Sequence, residues 1–282
     1  MRASGTVEHG RGLGLHDHVC WSYDVVAEFR HRALEFLVEG LALGQRVCYI
    51  GDGTADALTA DLRRADGMDE ALREGAASVT SVRDAYRPDA VIEPEAQVAT
   101  YASATKQALA DGFAGLRVAT DVTTMVRRPA QLDAFARYEH LIDDYMTGQP
   151  FAALCGYDRA ELGVRAVAQL ACMHPAGNRD IAPFRLYGST DADCSAELAG
   201  DLDLLSAELF PLALRRADPD PRGDRLVLDA SKVSFIDHRS LMALDDHAHE
   251  RGAVVVLRTG LCTPAHVIEA LNLTGVRLAC AA

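Results

Sequence analysis

From Asp24 to Leu43 the apolar positions fall at helical spacing. Val26, Phe29, Ala33, Leu37 and Leu41 recur every three or four residues and Gly44 follows as a stop, which predicts an amphipathic helix over 24–43. The apolar run RVCYI (46–50) then predicts a short buried strand, GDGT (51–54) a turn, and a second helix follows to about Arg64. The alternation continues with a strand near 78–82, a helix from about Glu95 to Ala110 and a strand in GLRVATDV (115–122). A helix from about Pro129 to Met146, a strand in FAALC (151–155) and a helix in RAELGVRAVAQLACMH complete it. Strands separated by helices of this length imply crossover connections and a mostly parallel sheet covered on both faces, an α/β layer domain.

Upstream lies HDHVCWSY (16–23), with two histidines, a cysteine and the only tryptophan of the chain. If it is extended, His16, His18, Cys20 and Ser22 share one face, and Asp17, Val19, Trp21 and Tyr23 the other. Residues 1–14, with four glycines, read as a flexible leader. After His174, PAGNRD (175–180) reads as a linker. Beyond it strands are expected at 184–188, 197–202, 225–229, 253–257 and 276–278, with helices at about 205–216, 239–250 and 264–271. The organisation is thus a domain over 15–177 and a second, smaller α/β domain over 181–282.

The length of 282 residues accommodates two such domains, and 49% hydrophobic with 24% charged residues is the composition of a folded, soluble chain. The net charge of −13 is spread as −8 through Asn178 and −5 beyond it. Neither half offers the basic face that phosphate backbones require, so direct nucleic-acid binding and anionic membranes are not expected. Without a signal-peptide pattern or an apolar stretch near 18 residues, the expected location is cytoplasmic. Seven scattered cysteines, an odd number, read as reduced thiols.

The strand, glycine turn and helix at 49–62 occupy the place of a phosphate-binding loop, but the stretch has no lysine and Asp52 puts negative charge where phosphate would lie. No ATP is expected there. A second constellation is His18, Cys20, Cys155 and His174. Cys155 ends a predicted strand and His174 the next helix, and ligands of open parallel sheets gather at the carboxyl ends of strands. Two cysteines and two histidines suit tetrahedral zinc, although spacings of 2, 135 and 19 residues match no finger or ribbon. Buried packing of the thiols, with His174 as a helix-end cap, is the plainer reading of Cys155 and His174. A nucleophilic Cys20 with His18 or His174 as base lacks any orienting acid except Asp121.

The blocks DHVCWSYD, FRHRALEFLVEGLALGQRVCYIG, GLRVATDV, YEHLIDDYM, FAALCGYD and a terminal HP resemble, in order, the MEDS domain, the sensory module of methanogen and methylotroph regulators, over about residues 15–175. The resemblance implies a RecA- or KaiC-type fold stripped of its phosphate loop. It also implies a pocket for small hydrocarbon-like ligands that includes His18 and Cys20. Asp121 stands where relatives commonly carry glutamate. The second half, in ELAGDLD (197–203) and RLVLDASKVSFIDHRSLMAL (225–244), resembles the STAS domain of anti-sigma factor antagonists and sulfate transporter tails. In the antagonists a serine at the turn opening a helix is phosphorylated. This chain reads Asp237-His238-Arg239-Ser240 there, so that switch serine is missing, while Asp237 suits a helix cap.

Together these readings predict a ligand- or redox-sensing signalling regulator rather than an enzyme. Its ligand pocket would be formed by His18, Cys20, Trp21, Asp121, Cys155 and His174, for a small apolar molecule, haem or a metal. Its partner face, Asp237, His238, Arg239 and Ser240, would engage an anti-sigma factor of the histidine-kinase-like ATPase type; a homo-oligomer is left open. The alternative is a metalloprotein, haem protein or thiol enzyme using His18, Cys20, Cys155 and His174.

Overall fold

The structure, a computed structural model, describes residues 2–86 and 90–280. Its first unit runs β1 (Gly5–Thr6), β2 (His18–Tyr23), α1 (Val26–Ala42), β3 (Arg46–Gly51), α2 (Ala55–Leu62), α3 (Met68–Glu74), β4 (Ala77–Ser81) and α4 (Val82–Ala85). It continues through α5 (Pro94–Ala110), β5 (Leu116–Asp121), α6 (Pro129–Gly148), β6 (Phe151–Asp158), α7 (Arg159–Leu162), α8 (Val164–Ala171) and β7 (Ala176–Gly177). The seven strands form one parallel sheet in the order β1-β7-β2-β6-β5-β3-β4. Crossover helices cover both faces, which is why β2, β5 and β6 are buried almost throughout.

Strand alternation sorts the side chains of β2 as expected from His18 onward. Val19, Trp21 and Tyr23 join the core under α1 with Phe29 and Phe36, while Cys20 faces the opposite core under α5, α6 and α8. His16 and Asp17 lie before the strand. His16 has a φ of 77° and its Nδ1 sits 2.8 Å from the Met146 carbonyl, and Asp17 accepts from the Ala3 and Gly14 N–H groups at 2.6 and 2.7 Å. Residues 2–14, expected as a flexible leader, are held at the sheet edge. Gly5 pairs with Ala176 and Thr6 with Gly177, and Leu13 is buried. The expected linker supplies β7, and the expected helix after β6 is split into α7 and α8 at Gly163, whose φ is 78°.

The second unit runs β8 (Phe184–Tyr187), β9 (Ala196–Leu202), α9 (Leu209–Ala217), β10 (Arg225–Ile236), α10 (His238–Arg251), β11 (Val254–Thr259), α11 (Thr263–Ala270) and β12 (Val276–Cys280). Its sheet has the order β12-β11-β10-β9-β8 and is antiparallel only between β8 and β9. β10 extends well past the expected end, with register shifts against β9 between Asp229 and Lys232 and between Val233 and Phe235.

The two units share a core. One apolar cluster runs from Val118, Ile142 and Leu170 in the first to Phe184, Leu198, Phe210 and Val276 in the second. Helix α6 therefore packs on the sheet and also against β8 and α9. Polar ties reinforce the seam: Leu186 N–H donates to the Cys172 carbonyl at 2.6 Å, and Arg216 reaches Asp133 Oδ1 at 2.9 Å and Gln169 Oε1 at 2.8 Å. Among the described residues no helix is long and apolar enough to cross a membrane.

Candidate functional site

A fully buried polar cluster interrupts this shared core. His18 opens β2, Cys155 lies in the middle of β6, Glu139 projects from α6, and His174 stands just past the end of α8. All four are buried, His18, Glu139 and His174 completely, and one ligand-type atom from each lies within 4.8 Å of every other. His18 Nε2 is 3.1 Å from Glu139 Oε2 and 3.6 Å from Cys155 Sγ; Cys155 Sγ is 3.9 Å and His174 Nε2 is 3.7 Å from the same Glu139 oxygen. The two imidazole centroids are 4.0 Å apart.

The outer atoms of the cluster are fixed. His18 Nδ1 lies 2.9 Å from Asp143 Oδ1, His174 Nδ1 lies 2.9 Å from the Leu170 carbonyl, and the Tyr157 hydroxyl donates to Glu139 Oε1. The Leu170 contact makes His174 Nδ1 the protonated nitrogen and leaves a lone pair on Nε2. That Nε2 points into the cluster without a hydrogen-bond partner among the described residues. Asp143 is held further by Arg2 and, at 2.8 Å, by the Gly188 N–H just beyond β8.

The electrostatics follow from this geometry. Burial disfavours a charged His18, but its bonds to Asp143 and Glu139 outweigh burial and raise its pKa above the ordinary value. Burial pushes His174 down to about 4, and the neighbouring His18 charge adds to the effect. Burial also opposes ionisation of Glu139, yet its contact with His18 and the hydrogen bond from the Tyr157 hydroxyl hold its carboxyl below the usual range. Of the two rings His18 is therefore the more basic. Asp143 is held at about 2, against its own burial, by Arg2 and His18. Burial and Glu139 push the Cys155 thiol up, and burial does the same to Cys20, so both are protonated at neutral pH and poor nucleophiles.

Of the residues singled out in the sequence, His18, Cys155 and His174 converge. Cys20 is their buried neighbour, opposite Cys155 in the strand register, and Glu139 takes the fourth place. Trp21 points to the other face, where the Arg32 guanidinium lies 5.7 Å from its ring. Asp121 ends β5, where it accepts from the Tyr23 hydroxyl at 2.8 Å and the Thr123 N–H at 3.2 Å. The cluster therefore sits on the face of the sheet. At the carboxyl ends of β4 and β5 lies a cavity of about 580 Å³ lined by Tyr86, Ile92, Met125 and Gln131. Tyr86 and Met125 also line a smaller aromatic cavity of about 20 Å³ that ends on Cys155, room for one water-sized group and too small for haem. The GDGT turn is satisfied internally: Thr54 caps α2 and Asp52 pairs with Arg83 at 3.2 Å.

At the second candidate face Asp237 caps α10, accepting from the Ser240 N–H at 2.8 Å. Ser240 is buried, whereas His238 and Arg239 are exposed beside the solvent-facing Phe235 and Met242. Sequence reading missed Glu139 and Asp143, although YEHLIDDYM places the two acids four apart on one helix face.

The model of the methanogen/methylotroph DcmR sensory domain (MEDS) matches residues 17–175, a span that contains all four cluster residues. No curated protein and no solved structure matches the chain.

Proposed function

Because the chain belongs to the MEDS family of sensory domains, we propose that it is a signalling regulator whose first unit perceives a chemical signal and whose second, STAS-like unit answers by binding an anti-sigma factor of the histidine-kinase-like ATPase type. The sensory role comes with the family. The coupling rests on one observation: Asp143 bonds at once to His18 in the buried cluster and to the Gly188 N–H of the second unit. A change of charge or position at His18 therefore alters a hydrogen bond that spans the seam.

The signal is a small molecule entering at the carboxyl edge of the first sheet, where Tyr86 and Met125 border both the larger cavity and the pocket ending on Cys155. A RecA- or KaiC-like ancestry for this unit, without a phosphate loop, fits its all-parallel sheet and the acidic, self-satisfied turn at 51–54. For the second unit, the STAS reading rests on the resemblance around 225–244 and on a strand running into a helix capped by Asp237. His238, Arg239, Phe235 and Met242 make the partner face. Ser240 lies too deep to take a phosphate without rearrangement, so control passes through the seam.

The test is calorimetric titration of the full chain with the anti-sigma factors of this ATPase class from its host. One of them should bind with a Kd of ~1 μM or tighter, and Arg239→Glu should weaken it at least ~10-fold, ~1.4 kcal/mol. Absence of binding to every such factor, or indifference to Arg239→Glu, rejects the assignment of the output.

A further inference from the structure

We infer that His18 Nε2, His174 Nε2, Glu139 Oε2 and Cys155 Sγ form a tetrahedral site for a divalent transition metal of the zinc type. A tetrahedron with bonds of about 2.0–2.3 Å has edges of about 3.3–3.8 Å. Four of the six edges of this cluster measure 3.1, 3.6, 3.7 and 3.9 Å, and the remaining two are no longer than 4.8 Å. The donors already surround a common centre, and small side-chain shifts would complete the coordination.

The unpartnered lone pair of His174 is the independent sign. A fully buried imidazole nitrogen aimed at a carboxylate oxygen 3.7 Å away gains nothing there, because both atoms are acceptors. A cation between them satisfies both. The support behind each ligand is also what a metal site needs. Asp143 behind His18, the Leu170 carbonyl behind His174 and the Tyr157 hydroxyl behind Glu139 fix ring tautomers and carboxylate orientation. Charge balance agrees: a thiolate and a carboxylate neutralise a divalent ion, which suits a site closed to water. On binding, the thiol proton of Cys155 and any proton on His18 Nε2 leave to solvent, while His18 Nδ1–H stays on Asp143. With four protein ligands and no open position, the site is structural or signal-bearing rather than catalytic. It stands on coordination geometry alone, whatever the second unit binds.

The test uses the full chain, freed of metal by a chelator and titrated with Co²⁺. One equivalent should bind, giving tetrahedral visible bands and a near-ultraviolet thiolate-to-cobalt charge-transfer band, and Zn²⁺ should displace it. Cys155→Ser should lose the charge-transfer band, Cys20→Ser should keep it, and Asp143→Asn should weaken binding ~10–100-fold. X-ray absorption of the zinc-loaded wild type, which needs no variant to fold, should find one sulfur and three nitrogen or oxygen ligands. No uptake by the folded chain overturns the site, as does a coordination sphere with no sulfur or with two, or a charge-transfer band that survives Cys155→Ser.

Discussion

Asp121 shows what burial costs a single carboxylate whose hydrogen-bond donors are neutral. Burial raises its pKa despite the donors Thr123 and Tyr23, and the Asp52 charge adds to the rise. The folded state therefore holds this proton more tightly than the unfolded chain, so stability falls as pH climbs from the unfolded value of about 3.9 through the folded one and stays lower above it. Asp121→Asn keeps an acceptor for the Thr123 N–H and removes the charge. Its urea midpoint should exceed that of wild type at pH 7, and the two should converge below about pH 4. Asp143 is the opposite case, with Arg2 and His18 stabilising its charge. The chemistry-bearing residues His18, Cys155 and His174 were legible because histidine and cysteine carry ligand atoms and these three sit on or next to predicted strand and helix ends. Glu139 and Asp143 were not, because acids on an amphipathic helix read as its wet side. Helix α6 has no such side at these positions: the sheet covers one flank and β8 with α9 the other.

At the scale of elements, strand and helix placement followed from periodicity. Where the structure departs, the signal was too short or was overruled by tertiary packing. Two-residue strands such as β1 and β7 have no period to display, and the far end of β10 is held by pairing with β9 across two register shifts. Close packing of α1 on the sheet likewise depends on a residue without a side chain. A Cβ at Gly156 in β6 would lie 2.5 Å from the ring of Phe29, which is itself completely buried. Gly156→Ala should therefore cost ~2 kcal/mol by overpacking, read from urea denaturation, with the sheet and its cluster otherwise intact. A cost near zero would mean that α1 can lift from the sheet.

For the whole molecule, the order of strands and helices was legible but the intimacy of the seam was not, since neither half advertises which of its apolar faces meets the other. The continuous core implies that the full chain unfolds in one cooperative transition rather than two. Gly188 sets the spacing of that seam. Its backbone lies so close to α6 that a Cβ would meet the Asp144 Cα at 2.6 Å and its nitrogen at 2.8 Å, main-chain atoms that cannot rotate away. Gly188→Ala should split the denaturation profile into two steps while leaving the second unit itself, with its exposed Arg239, folded. On the output proposed above, such a chain would still bind an anti-sigma factor but hold it at one fixed level whatever the cell encounters, a deaf allele with which to separate hearing from speech in vivo.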